Sequence, residues 1–503
     1  DTPLLKFILP VAVCSIICFG VLLGRARQIK EELKQVKTKC TVTFQYLNTT
    51  VKRPMGFDMW DVTCPQGERK PYTEVIDVSS GDLHSAGLKP LSFVRQVLAA
   101  CLYPELMSSN RLPVDVKQRA RRLLGACSGE SVGSYTAASG IPDIVHKLSE
   151  FITRRDGGVL SHPQNIYISP GSQWSITNLL KLLVNNSASP RTGVLIPVPC
   201  HATTIMSLMQ VGAAIVPYYL NEEQGWKLQV EELHRALESA KGICNPVALY
   251  VINPGNPSGH VQSRESIQEV IQFVSEQRLF LLADEVYQEY IYGEKEFFSY
   301  KRVLGEMGPP LSDTVELASF YSASKGFLGE CGLRGGYVEL VNLDPAVMKH
   351  VYTLFSKDSC APVLAQIALD LMVDPPQPGD PSHPLYNMHI KTTLLHNARA
   401  FEVVNSLPGF SCHPVEGGAF VFPRLHLPPK AIQKAKKAGM QPDMFYCSRL
   451  LEEGGVLTKP GSEYGQKEGT YHIRFCILPT VDIMEELLKR LTSFHMQFMK
   501  DFS

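Results

Sequence analysis

From about residue 150 onward, short runs that are apolar at nearly every position alternate with longer stretches in which apolar residues recur every three or four positions. The runs are NIYIS (165–169), GVLIPV (193–198), VALYVIN (247–253), FLLAD (280–284) and ELASFYS (316–322). A strand that is apolar throughout must be buried on both faces, and helical periodicity between such strands predicts crossover helices. The expected body is an α/β fold whose mostly parallel sheet is flanked by helices. In sheets of this kind ligands bind outside the carboxyl ends of the strands, so the loops following these runs are where chemistry is expected.

The texture changes at the proline-rich stretch DPPQPGDPSHP (374–384), after which a long helix over about 386–406, an α+β segment and a terminal helix are expected. We divide the chain into a membrane anchor at 1–24, a linker or arm at 25–70, the first part of a small domain at 71–150, a large domain at 151–377 and the rest of the small domain at 378–503. The anchor rests on residues 7–24, which carry no charge and approach the roughly 20 residues that span a bilayer core. Arg25, Arg27 and Lys30 follow the run whereas only Lys6 precedes it. The positive-inside rule then gives a single-pass protein whose body faces the cytosol.

Composition narrows the function classes. A chain of 503 residues exceeds what one core serves, in keeping with two subdomains. Lys plus Arg and Asp plus Glu each total 49, so no net charge draws the protein to nucleic acid. Thirteen cysteines occur without a Cys-x-x-Cys pair or a His/Cys cluster of metal-ligand spacing, so no metal site is expected.

The candidate chemistry lies after the strands. The last run leads into SASKGFLGECGLRGGY, where Lys325 sits among hydroxyls and glycines with Arg334 nearby. VALYVI leads into NPGNPSG, a turn that presents the amide of Asn256. FLLAD ends at Asp284, three residues before Tyr287. NIYIS leads into PGSQWS, where Ser172 and Gln173 open a helix with free backbone N–H groups. An anion-binding helix start, an Asn turn, a strand-end Asp with Tyr, and a Lys with hydroxyls and Arg make up the parts of a pyridoxal phosphate site. Lys325 supplies the amine and a base for the α-proton, and Asp284 pairs with the ring nitrogen. Tyr287 and Asn256 hydrogen-bond the ring oxygen, while Ser322, Ser324, Arg334 and the 171–173 amides hold the phosphate.

The motifs NPGNPSG, LLADEVYQ, SASKGFLGECGLRGGY and YHIRFCILP resemble, in that order, those of the class I/II aminotransferases of fold type I, and among them most closely the alanine aminotransferases. The resemblance covers about 71–503. It implies that Lys325 is the Schiff-base lysine, that Arg474 clamps the substrate α-carboxylate with Asn256 and Gly81 beside it, and that Tyr135 reaches the cofactor phosphate of a partner subunit. A homodimer acting on an amino acid and a 2-oxo acid is implied as well.

Some positions depart from the family pattern. PCHATT puts His201 where an aromatic stacks on the cofactor, Trp174 follows the phosphate turn, and PGSEYG and SKDSCAP introduce Glu463 and Asp358. Added acid is expected to repel a second substrate carboxylate, which places 2-oxoglutarate in question. A lyase acting through the same cofactor, and a scaffold that keeps the fold with little turnover, are the rival readings.

Overall fold

The apolar runs become the strands of one sheet. We describe the protein from a computed structural model covering residues 71–185, 187–395 and 398–503. The predicted anchor at 1–24 and the arm at 25–70 lie outside the described residues. Among the described residues no helix is long and apolar enough to cross a membrane.

A two-residue strand β1 (Ile76–Asp77) precedes the sheet. The sheet is made of β2 (Ile166–Ser169), β3 (Arg191–Val198), β4 (Ala214–Tyr219), β5 (Cys244–Ile252), β6 (Phe280–Asp284), β7 (Leu317–Ser322) and β8 (Gly336–Val341). Its order is β2-β8-β7-β6-β5-β3-β4. Strands β4, β3, β5, β6 and β7 pair in parallel, and β8 runs antiparallel to both β7 and β2. Successive side chains in a strand point to opposite faces, and the interior strand β5 shows the result. Ala248 and Tyr250 enter the core on one face with Ile196, Leu282 and Phe320. Leu249 and Val251 enter the other with Leu281, Ala283 and Leu317.

Strands β4 and β8 are absent from the set of continuous apolar runs, for different reasons. β4 is an edge strand whose residues alternate between buried and half-buried. β8 carries Glu339 in its interior, where Lys301 Nζ at 3.2 Å and the Ser161 hydroxyl at 2.5 Å meet the carboxylate.

Helices α1 (Ser92–Leu102), α2 (Val114–Gly125) and α3 (Pro142–Arg155) form a third core with Ile166 and Ile168 of β2 and Tyr337 of β8. The segment 71–150, expected to belong to the small domain, divides its packing: Ile76, Val78 and Leu83 join the C-terminal core, and the helical part packs on the large sheet. The reason is that the buried stripe Val94, Val97, Leu98 finds its apolar partner at the β2 edge.

The C-terminal part is built on β9 (Phe410–Ser411), β10 (Phe420–Val421), β11 (Arg424–Leu425), β12 (Val456–Leu457), β13 (Lys459–Pro460) and β14 (Ile473–Cys476). Two helices, Pro442–Gly454 and Val481–Phe502, cover them. β1 pairs in parallel with β12, so the beginning and the end of the described chain share one small sheet. Helices His383–Leu395 and Ala398–Ser406 occupy the stretch expected to be one long helix. Val286, Tyr287 and Tyr290, which follow β6, join this C-terminal core and so carry the large sheet's crevice up to the small domain.

Leu249 is fully buried in the middle of the sheet. Leu249→Ala is expected to lower unfolding free energy by about 3 kcal/mol, measured by urea denaturation followed by circular dichroism.

Candidate active site

Strands β5, β6 and β7 are neighbours and parallel, so the loops after them meet at one end of the sheet. Asn256, Asp284 and Lys325 arrive there from three adjacent strands. Because β8 is antiparallel, its first residue, Gly336, lies at this same end, paired with both Ser322 of β7 and Ser169 of β2. That reversal brings Arg334 beside the start of α4 (Ser172–Leu183).

The two glycines at this junction are required by contact. A Cβ on Gly336 would lie 2.6 Å from the Tyr321 carbonyl oxygen and 2.9 Å from the Ser172 backbone nitrogen. Gly171 has φ +117° and faces the Arg334 guanidinium, 3.0 Å from where its Cβ would be. Arg334 donates to the Cys331 carbonyl at 2.8 Å, the Pro170 carbonyl at 3.3 Å and the Ser324 hydroxyl at 3.4 Å. No carboxylate among the described residues pairs with it. The first amides of α4 have no partner within the helix, so this notch gathers donors suited to a phosphate. The Ser322 hydroxyl donates to the Gly335 carbonyl at 3.0 Å and accepts from the Ser324 amide at 3.1 Å, bracing the loop. The Gln173 side chain turns away to Ser207 at 2.8 Å, which leaves its backbone amide as its contribution.

Lys325 Nζ donates to the Gly81 carbonyl at 3.0 Å and lies 5.8 Å from the centroid of the Tyr287 ring. Burial works to lower its pKa, but the nearby Tyr287 phenol and the Cys331 and Cys476 thiols outweigh it, and the net shift is upward. Opposite the amine, Gly81 leaves no room for a side chain: a Cβ there would stand 2.8 Å from Phe420 Cζ and 3.1 Å from Lys325 Nζ. Asp284 accepts the Tyr250 phenol at 2.7 Å on Oδ2, and its Oδ1 has a longer contact, 3.4 Å, with the Val286 amide. Burial raises its pKa to about 6, partly countered by Tyr250, Val286 and Lys325. Among the described residues no cation lies within ion-pair distance of it.

Arg474 is buried and likewise has no ion-pair partner among the described residues. It donates to the Ser79 carbonyl at 2.6 Å and to Asn256 Oδ1 at 3.2 Å, while its Nε has no partner. Its guanidinium carbon is 3.7 Å from the Phe420 ring centroid and 4.6 Å from that of Tyr464. The cation is thus held between two aromatic faces. His201 immediately precedes α5 (Ala202–Gln210). Burial, then the charges of Arg474 and Lys325, lower its pKa to about 3, so the imidazole is neutral.

The structure therefore brings together Lys325, Asp284, Tyr287, Asn256, Arg474, Gly81 and His201, and beside them the notch of Ser172, Gln173, Ser322, Ser324 and Arg334. Tyr135 is 78% exposed. Glu463 is not a lone acid, since Lys459 lies 3.3 Å away, and half-exposed Asp358 lies 3.8 Å from Lys357. Trp174 packs edge-on against Phe355. Tyr250, Phe420 and Tyr464 were missed as site residues. Tyr250 is indistinguishable from core inside an apolar run, and Phe420 sits in a two-residue strand with no periodic signal.

Behind Lys325 the chain is pinned from the other side. Gly326 has φ +61°, and a Cβ would lie 2.7 Å from the Tyr321 hydroxyl and 2.9 Å from Glu289 Oε2. Glu289 accepts from Tyr321 and Gln288, and burial raises its pKa to about 7.

Two outcomes are expected. Gly81→Ala displaces the Lys325 amine and weakens retention of a ligand bound to it by about tenfold, the effect of losing one or two kcal/mol, measured by equilibrium dialysis. Glu289 has a folded pKa above its ordinary value, so its contribution to stability is complete below about 4.5 and lost as pH rises through about 7. Glu289→Gln is therefore expected to melt above the parent protein by a margin that opens between pH 5 and 8 and closes near pH 4, read by calorimetry.

Comparison with known proteins places this geometry. The profile of the aminotransferase class I and II family matches residues 98–491. Alanine aminotransferase 2 of Xenopus laevis is 50% identical over 443 residues, covering 87% of this chain and 82% of its own. Alanine aminotransferase 1 of Homo sapiens is 49% identical over 443 residues, covering 87% of this chain and 89% of its own. Among solved structures, an alanine aminotransferase from Pyrococcus furiosus shares the fold with a TM-score of 0.66 at 19% identity, covering 84% of this chain and 93% of that one. A tyrosine aminotransferase from Leishmania infantum aligns with the same TM-score, at 19% identity, over 86% of this chain and 93% of that one. With strand-end Lys, Asp and Asn, a phosphate notch and a buried guanidinium all in one crevice, the chain belongs to the class I and II aminotransferases, the pyridoxal phosphate-dependent enzymes of fold type I.

Proposed function

We propose that this aminotransferase moves an amino group between L-alanine, or an amino acid of similar size, and a 2-oxo acid such as 2-oxoglutarate. The observation that carries the reading is Arg474, a buried guanidinium whose charge meets aromatic faces and neutral acceptors but no acid among the described residues. A buried cation left without a counter-ion is poised for a carboxylate supplied by the substrate. The names of the relatives near 50% identity support alanine as the donor.

The residues fit the cofactor. Asp284 is a half-buried acid with no cationic partner among the described residues, the Arg334 notch is lined by donors and by glycines that a Cβ would obstruct, and the charge of Lys325 acts on Asp284. Bound pyridoxal phosphate supplies a carbon that carries the amino group and a ring that withdraws electrons from the substrate α-carbon. The chain's own residues do the rest. Arg474 orients the α-carboxylate, with Asn256 Oδ1 holding the guanidinium and its Nδ2 left to donate. Lys325 Nζ removes and returns the α-proton. Asp284 offers a carboxylate to the ring nitrogen, and the Tyr287 phenol, kept protonated by burial, offers a hydrogen bond. No feature of the crevice favours the lyase or the scaffold.

The same proposal includes a homodimer and a membrane tether. Tyr135, exposed on its own subunit, supports the first. The uncharged run at 7–24 with its basic flank supports the second, with the catalytic body in the cytosol.

The test is the near-ultraviolet and visible spectrum of the purified protein, recorded against a panel of amino acids. L-alanine is expected to convert the cofactor band, and 2-oxoglutarate to restore it, whereas Lys325→Ala shows no conversion. Arg474→Lys, which loses the planar fork, is expected to cost about 100-fold in kcat/KM for alanine, about 3 kcal/mol. Indifference of the bound cofactor to every amino acid would overturn the assignment.

A further inference from the structure

Asp284 is held by a residue that belongs neither to the loops of the crevice nor to the family motifs quoted above. Tyr250 lies within β5, two residues before its end, with 1% of its surface exposed. Its phenol reaches across to the neighbouring strand and donates to Asp284 Oδ2 at 2.7 Å. The Tyr250 oxygen in turn accepts the Thr204 hydroxyl from α5 at 3.2 Å, and the Tyr250 carbonyl accepts the Tyr218 phenol at 2.9 Å. Three elements thus fix one hydroxyl against one carboxylate oxygen. The other oxygen, Oδ1, has only its 3.4 Å contact with the Val286 amide.

We propose that Tyr250, with Thr204 behind it, is a positioning residue that holds Asp284 as an ionised, correctly turned acceptor for the cofactor's ring nitrogen. A donor on one oxygen of a carboxylate stabilises the charged form and makes it a weaker base. Asp284 needs that help, because burial favours its neutral form. Burial also raises the Tyr250 phenol well above its ordinary value, so it remains a donor throughout the working range. With Tyr250 in place, the proton shared by Asp284 and the ring nitrogen resides on nitrogen. Without it the carboxylate becomes the stronger base and the proton moves toward Asp284. The bond also occupies Oδ2 and so leaves Oδ1 as the acceptor.

The test uses full-length protein reconstituted with pyridoxal phosphate whose ring nitrogen is isotope-labelled, and reads that nitrogen by magnetic resonance. No substrate is needed, so the result is independent of which amino acid is the donor. In the parent protein the ring nitrogen is expected to report as protonated. In Tyr250→Phe it is expected to move toward the unprotonated position, and the dissociation constant of the cofactor to rise about tenfold, the effect of one lost hydrogen bond to a charged group. Thr204→Val, which keeps the phenol and removes its support, is expected to move the signal in the same direction by less, and it serves as the readout if Tyr250→Phe does not fold. A shifted nitrogen signal in either folded variant supports the proposal. An unchanged signal in the folded variants, even with a lowered melting temperature, would reduce Tyr250 to a packing residue and overturn it.

Discussion

The crevice is organised around two charges without partners of opposite sign among the described residues, half-buried Asp284 and buried Arg474. Burying an uncompensated ion is costly, and each is made tolerable by neutral groups that leave part of it free. Tyr250 and the Val286 amide partly satisfy Asp284; Ser79, Asn256 and two aromatic rings partly satisfy Arg474. Both charges are thereby kept available to ligands. The charge of Lys325 is felt by Asp284 and its own amine feels Arg474, while that amine rests on a backbone carbonyl instead of a carboxylate.

The surrounding fold can be read as the means of keeping that arrangement rigid. The acid comes from the centre of the sheet, where both faces are sealed by apolar cores. The guanidinium comes from β14 of the C-terminal part. Phe420, also from that part, touches Arg474 and limits the space at Gly81, so one ring shapes both the cation's seat and the lysine's. Tyr287 and Tyr290 continue from the Asp284 strand into the C-terminal core, which ties the two halves of the site mechanically.

Much of this was legible in the sequence, and what was not had physical causes. Strands β5, β6 and β7 announce themselves because burial on both faces demands uninterrupted apolar residues, and the loops after them announce Asn256, Asp284 and Lys325. β8 is obscured by Glu339, an acid that only a distant lysine and serine make acceptable in a strand interior. Within 71–150, expected with the small domain, the helices pack on the large sheet instead, because an apolar stripe states that a partner is needed and not which one. Tyr250 was hidden for the same reason, since its ring is core and only its hydroxyl faces the site. The added acid of Glu463 looked like a repulsive charge until Lys459 was found beside it.

The antiparallel course of β8 has one more consequence. Because this strand enters the sheet at the end where β7 leaves it, the loop between Lys325 and Arg334 is anchored by sheet register on both sides. Lys325 and Arg334 are thus coupled in length as well as in space: a residue gained or lost at 326–333 shifts the amine against the anion notch, whereas the loops at the opposite end of the sheet can vary without either one registering it. Arg474 is fixed in the same way from the other side, by the pairing of β14 with both β10 and β13, so the cation's seat and the lysine's are each set by sheet register.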